Sequence, residues 1–190
     1  MIDMIKRDAH LVPYLKENIE DNGISAIVDD KLTTDEYVAI KVDEYYAGLR
    51  EKITPKSVDF VVVVDCQCNS YVMYILEFKN VHKSRGLNIA EIQEKFANTI
   101  DDFLSNTFSS IFENDRFKYK DIKLFLVSDA YQQATNNQTH AEVLAFREKI
   151  NKKDSLKVDL RLRQKLFKFR GRVLQIEYDI PPNPIIARQT

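Results

Sequence analysis

Asp59, Glu77 and Lys79 are the residues of this 190-residue chain whose types and spacing could do chemistry together. Two converging carboxylates can hold a divalent cation, and a lysine two positions beyond the second can orient a water and stabilise negative charge. Such a set suits metal-assisted hydrolysis. Whether the three groups converge depends on residues 57–80, SVDFVVVVDCQCNSYVMYILEFKN. Segments 58–64 and 71–78 are rich in β-branched and aromatic residues and too short for ordinary helices, so each is predicted to be a strand. The polar 67–70 segment joins them as a hairpin. A turn centred near Cys68 sets Asp59 opposite Glu77, because paired positions in a hairpin have a constant sum. Side chains alternate with period two, so Glu77 and Lys79 share a face and Asp59 joins them there. Asp65 stands about six residues up the strand, about 20 Å away at about 3.3 Å per residue, and is expected to serve the turn.

This arrangement resembles the PD-(D/E)XK nuclease superfamily, the fold of most type II restriction endonucleases, whose motif is an acidic residue on one strand and acidic-x-Lys on the next. The counterparts here are Asp59 and Glu77-Phe78-Lys79, within a motif of 21 residues. The proline usual before the first aspartate is Val58. The surrounding order of elements extends the resemblance over residues 33–128. It implies an α/β fold with a restriction-endonuclease-like core, a mixed central β-sheet flanked by helices. It also implies hydrolysis of phosphodiester bonds with Mg²⁺, for which Mn²⁺ would substitute. Asp59, Glu77 and the Phe78 backbone carbonyl would be its ligands, with Lys79 beside the attacking water. An acidic residue of the preceding helix often adds a ligand in this superfamily, which makes Glu44 a fourth candidate. The competing reading is an exposed hairpin end with solvated charges, since E-x-K alone is a common pattern.

Around the hairpin, residues 3–21 read as an amphipathic helix bent or begun near Pro13 and closed by Asn22-Gly23. A second helix is expected from Thr33 or Thr34 to about Leu49, because Thr33 and Glu36 have capping-box spacing. Val38, Val42, Tyr45 and Leu49 would mark its buried face. A third begins where Asn88 and Glu91 can cap it and carries Ile89, Ile92, Phe96, Ile100 and Phe103 at helical spacing. Gln93 invites comparison with RecB-like nucleases, but the position four on is Ala97 rather than tyrosine. Segment 122–127 reads as a strand buried on both faces, and a helix over 139–150 and a last strand over 173–180 follow.

The net charge of −1 hides a regional asymmetry. Between Arg147 and Arg172 eleven Lys or Arg residues face Glu148, Asp154 and Asp159, a local balance of +8, while the first 59 residues lean acidic. A polyanion bound along one surface suits such polarity. VDLRLR at 158–163 alternates, so it reads as a strand with Val158, Leu160 and Leu162 inward and Arg161 and Arg163 outward. Arg161, Arg163, Lys165, Lys168, Arg170 and Arg172 are candidate nucleic-acid contacts, with Gly171 in a turn. Lys83 and Arg85, in the loop after the second strand, are candidates near the scissile phosphate.

Composition bounds the alternatives. The chain reads as one domain, its nuclease core at 33–128 and a basic nucleic-acid-contacting part at 147–180, with 44% hydrophobic residues and no stretch able to span a membrane. No leader is evident, so a cytoplasmic location is expected. Cys66 and Cys68 are poorly placed for a mutual disulfide, and with His82 they make only a weak zinc pattern. Three histidines (His10, His82, His140), four glycines and no G-x-S-x-G disfavour nucleophile triads and a nucleotide cofactor. The leading expectation is a Mg²⁺-dependent DNA endonuclease of type II restriction character acting on double-stranded DNA as a homodimer. A repair, junction-resolving or RNA-cleaving nuclease of the same superfamily is the enzymatic alternative. A nuclease-like module that binds nucleic acid without cutting it is the alternative from another class.

Overall fold

The computed structural model describes residues 1–49, 54–81, 86–130 and 155–189. Its frame is a six-stranded mixed sheet whose strands lie side by side in chain order. β1 (Leu15–Lys16), β2 (Tyr37–Lys41), β3 (Phe60–Asp65) and β4 (Ser70–Lys79) are each antiparallel to their neighbour. β5 (Lys118–Ser128) and β6 (Ile176–Asp179) add in parallel beyond β4.

The central hairpin forms as its composition requires. Phe60 pairs with Leu76 and Asp65 with Tyr71, so extending the ladder by one residue sets Asp59 opposite Glu77. Gln67, Cys68 and Asn69 turn through positive φ of 68°, 52° and 56°. The Asp65 carboxylate accepts the Gln67 N–H at 2.9 Å, the turn role expected of it.

Alternation divides the sheet into two apolar faces. Val61, Val63, Tyr71, Met73, Ile75, Leu124 and Leu126 point to one, and Phe60, Val62, Val64, Val72, Tyr74, Leu76 and Phe125 to the other. The first face is covered by α1 (Ile2–Arg7), α2 (Val42–Gly48), α3 (Ile89–Asn98), α4 (Ser109–Phe112) and α5 (Ser155–Arg163). The second is covered by short extended segments carrying Ile19, Ile24, Ala26 and Ile186. A sheet flanked by helices therefore holds on one side only: among the described residues every helix packs on the first face. β5, apolar on both faces, is the doubly buried strand expected of its sequence. α3 starts at Asn88, whose side chain accepts the Glu91 N–H at 3.3 Å. It continues as a wider helix of π type over Thr99–Thr107, with Ile92, Phe96, Ile100 and Phe103 buried.

Several local expectations are corrected. The helix over 3–21 is only α1; after it come a short turn at Pro13 and β1. Asn22 and Gly23, with φ of 50° and 76°, do not close a helix but turn the hairpin of Glu20–Asp21 and Ile24–Ser25, as Asn-Gly between paired residues favours. The helix over 33–49 is a strand followed by α2. The Thr33 N–H does bond Glu36 at 2.9 Å, but the box closes a turn, because Val38 to Ile40 find a ladder against β3. Val38, Val42 and Tyr45 are buried as expected, while Leu49 is exposed. Residues 158–163 are helical, not a strand. Val158 and Leu162 are buried four apart and Leu160 is 54% exposed, which is helical and not alternating burial. The last strand breaks at Gln175 into Arg172–Leu174 and β6. The helix expected over 139–150 lies outside the described residues.

Candidate functional site

The open end of the β3–β4 hairpin is built by backbone ties that leave little freedom to Asp59. The Val58 N–H donates to Thr99 Oγ1 at 3.1 Å, from the buried start of the widened helix. The Val42 N–H donates to the Asp59 carbonyl at 2.9 Å, fixing the start of α2 against the same residue. The Asp59 side chain then turns toward β4 and accepts the Phe78 N–H on Oδ2 at 2.6 Å. At the end of β4 the Lys79 carbonyl accepts both the Ser128 hydroxyl at 2.6 Å and the Val81 N–H at 3.0 Å.

Glu77 is fully buried yet faces cations. Its Oε1 lies 3.0 Å from Lys79 Nζ and 2.7 Å from Lys95 Nζ. Its Oε2 is buried with no hydrogen-bond partner among the described residues. A buried carboxylate oxygen without a partner is costly and invites a ligand. Burial, then the nearby Glu77 charge, pushes the Asp59 carboxyl up to about 7, against the Phe78 N–H and the lysines, which pull it down. Burial works against the Lys79 ammonium, but the charge and hydrogen bond of Glu77, then Asp59, outweigh it and raise its pKa.

On the other side of Asp59 a second group assembles. Lys41 Nζ lies 2.8 Å from Asp21, 3.2 Å from Asp43 and 3.6 Å from Asp59. Burial opposes this ammonium too, and its bond to Asp21 and the charges of Asp59 and Asp43 overcome it, raising its pKa. Asp21, Asp43 and Asp59 each offer an oxygen within 4.8 Å of the others. The site therefore contains four carboxylates (Asp21, Asp43, Asp59, Glu77) and three ammonium groups (Lys41, Lys79, Lys95), one negative charge in excess when all are ionised. Protonating Asp59 balances it; a divalent cation would displace that proton and leave the site at +1.

Of the residues singled out from sequence, Asp59, Glu77 and Lys79 come together as the hairpin argument requires. Phe78 meets Asp59 through its N–H. Glu44 stands apart: it is exposed and paired with Lys16 at 2.6 Å, and its neighbour Asp43 is the acidic residue of α2 that reaches Asp59's group. Among the cationic candidates, Arg170 donates to the carbonyls of Glu113 and Phe117 and to Asp115. Arg172 donates to the carbonyls of Lys120, at 3.1 Å, and Tyr119. Both guanidinium groups are engaged in fastening the 167–174 hairpin, Arg170 to the segment before β5 and Arg172 to β5 itself. Lys165 lies over the Phe167 ring at 5.4 Å and reaches the Gln93 carbonyl. Arg161, Arg163 and Lys168 are exposed. Arg161 and Lys165 line a cavity of about 580 Å³ with Asn88, Gln93 and Gln164. Gln93 donates to the Arg161 carbonyl at 3.0 Å, so it joins α3 to α5. Lys83 and Arg85 lie outside the described residues.

Lys95, Lys41, Asp43 and Asp21 were not found by sequence reasoning. Lys95 follows the buried Ile92 by three positions on α3, so its stem lies toward the sheet; that spacing was a usable signal. Asn22-Gly23 read as a hairpin would have pointed to Asp21. No protein-family model, curated protein or solved structure matches this chain.

Proposed function

We propose that the chain is a divalent-cation-dependent endonuclease with a restriction-endonuclease-like core, hydrolysing phosphodiester bonds in double-stranded DNA. The observation that carries this reading is the buried, unpartnered Glu77 Oε2 beside a nearly neutral-range Asp59 and an exposed-side lysine on the next position of the same face. That donor set is all oxygen and carries an excess negative charge, which suits a hard cation such as Mg²⁺, with Mn²⁺ as substitute. Asp59 and Glu77 would hold the ion. When bound it would supply charge neutralisation at the phosphate and a more acidic water.

The remaining work falls to the chain's own groups. Lys79, 30% exposed at its side chain, can direct an N–H toward a phosphate oxygen or an approaching water. Because its pKa is raised, it acts as a positive charge and orienting donor rather than as a base. Lys95 holds Glu77 Oε1 and so aims Oε2 away from α3's own cation. The order β2-β3-β4-α3-β5, with β5 parallel to β4, supports the restriction-endonuclease-like core. Exposed Arg161 and Lys168 provide phosphate contacts in this reading, and one site per chain favours a homodimer for cutting both strands.

The test is incubation of purified protein with supercoiled plasmid and mixed-sequence linear DNA, with Mg²⁺ or EDTA, beside Asp59→Ala and Lys79→Ala. Discrete, Mg²⁺-requiring fragments lost in both variants are expected; equal cleavage by the variants would refute the assignment. A second reading has one observation in its favour: three lysines already neutralise most of the acidic charge, as a nuclease-like module that binds without cutting would allow. Retained DNA binding with no cleavage in either Mg²⁺ or Mn²⁺ would select it.

A further inference from the structure

Lys41 is the ammonium group at the site that the proposed hydrolysis does not use. Its backbone belongs to β2, where it pairs with Phe60, and its Nζ stands 4.7 Å from the centre of the Phe60 ring. The side chain is 5% exposed and ends among Asp21, Asp43 and Asp59. Three carboxylate oxygens within 4.8 Å of one another have the spacing of a divalent-cation site. Here a tethered ammonium reaches all three.

The two sides of Asp59 differ in the cation that faces them, although each carries one buried carboxylate oxygen without a hydrogen bond among the described residues, Asp43 Oδ1 beside Lys41 and Glu77 Oε2 on the other side. Toward Lys41, Oδ1 has a fixed cation at 3.6 Å. Toward β4, Oδ2 takes the Phe78 N–H, next to a Glu77 oxygen that no described residue satisfies. Two-metal hydrolases set their ions about 3.5–4 Å apart, one on each side of a shared carboxylate. Resting on the Asp59 and Glu77 metal reading above, we infer that Lys41 Nζ takes the place of a second divalent cation, so that the site works with one metal ion per chain. Charge supports the same count. Four carboxylates and three ammoniums leave −1; one divalent ion brings the site to +1, and a second would bring it to +3 before any phosphate arrives. The ammonium is a point charge that neither exchanges nor activates water. Its contribution is to hold Asp59, Asp43 and Asp21 together, cutting the repulsion that would otherwise spread them, and to keep Asp59 turned toward β4.

Mn²⁺ binding to the full chain, counted by equilibrium dialysis and by loss of the free-ion electron paramagnetic resonance signal, tests this without reference to cleavage. Lys41→Met keeps an apolar stem over Phe60 and removes the charge. The expected counts are one ion for the unmodified chain, two for Lys41→Met, and one again for Lys41→Met with Asp43→Asn. Two ions in the unmodified chain, or one in a folded Lys41→Met, would overturn the inference. No ion in the unmodified chain but one in Lys41→Met would keep Lys41 as the stand-in cation and sink the Asp59 and Glu77 reading instead; none in either would sink both. Should Lys41→Met fail to fold, as circular dichroism would show, Asp43→Asn alone decides. A count of one, unchanged from the unmodified chain, upholds the inference, and a fall from two to one overturns it.

Discussion

Replacing Asp59 by asparagine should stabilise the metal-free protein at neutral and alkaline pH, the opposite of what removing a paired carboxylate usually does. The folded-state pKa of about 7 stands above the ordinary value of 3.8. Between those values the folded chain keeps a proton that the unfolded chain has released, so stability falls as pH rises from about 4 to about 7 and then levels off. At 1.36 kcal/mol for each pH unit, that gap corresponds to about 4 kcal/mol as an upper bound. Asparagine carries no charge to desolvate, and its carbonyl can still accept the Phe78 N–H. The attraction to Lys41 at 3.6 Å is already among the effects that set that pKa, so about 4 kcal/mol stands as the upper bound on the gain. Urea denaturation in EDTA of both proteins at pH 4.5 and pH 8 measures the difference directly, and other titrations cancel in the comparison. Asp59→Asn should exceed the unmodified chain by only about 1 kcal/mol at pH 4.5 and by several-fold more at pH 8. Adding Mg²⁺ at a hundredfold excess over its dissociation constant should return about 2.7 kcal/mol to the unmodified chain and almost nothing to the variant. An Asp59→Asn protein no more stable at pH 8 than its parent would show that Asp59 is not held against its ionisation, and the account of the site would fail with it.

Other perturbations separate structural from functional roles. Glu77→Gln leaves Lys79 and Lys95 without their shared carboxylate and should cost about 3 kcal/mol while abolishing Mg²⁺-dependent cleavage; a variant of parental stability would mean the three groups are not coupled. Arg172→Ala should destabilise by about 1–2 kcal/mol, since its bonds to Tyr119 and Lys120 carbonyls are lost, yet leave the salt dependence of DNA binding unchanged. Arg161→Ala should do the reverse, reducing the slope of log affinity against log salt by about 1 with little change in the denaturation midpoint. Leu162→Ala, at a fully buried position, should cost about 2–4 kcal/mol, and Leu160→Ala less than about 0.5; equal losses would favour the alternating strand over α5.

The hairpin was legible because its signals agree. Two apolar, β-branched runs around a polar turn leave one economical pairing, and the constant sum then fixes Asp59 against Glu77 without any long-range information. β5 was legible for the same reason. The errors fall where a local signal has two physical uses. Thr33 and Glu36 have the spacing of a capping box, but here the Glu36 carboxylate accepts the Thr33 N–H while the Glu36 N–H bonds the Thr33 carbonyl, closing a turn, and the choice lies with β3, which offers a ladder to Val38–Ile40 that no local pattern reveals. Val158 and Leu162 fit period two and period four alike; only packing against the first face excludes Leu160. Lys41 and Asp21 were out of reach for a deeper reason, since they enter from the face opposite Glu77 and meet Asp59 around the end of the sheet.

That meeting is expensive for a fold to maintain. Burying Asp59, Glu77 and Lys41 removes three charges from water at several kcal/mol each, and apolar residues at the same positions would serve the core at least as well. The surrounding structure shows what such a core looks like: Val61 to Val64 and Tyr71 to Leu76 are almost entirely apolar up to the point where the charges begin. Folding therefore does not explain why the last residues of β4 change character, nor why Glu77 keeps one oxygen partnered by two lysines and the other by none of the described residues. A ligand would. Sequence consistency that breaks at one place, at the end of a sheet, is what a site held against stability would leave. In the proposed reading, the excess of one negative charge and a carboxyl pushed up to about 7 suit a small cation whose arrival would release a proton. Proton release on saturating Mg²⁺, near one proton at about pH 5–6, halved near pH 7 and absent in Asp59→Asn, is the direct expression of that coupling. Release that persists in the variant would place the titrating group elsewhere.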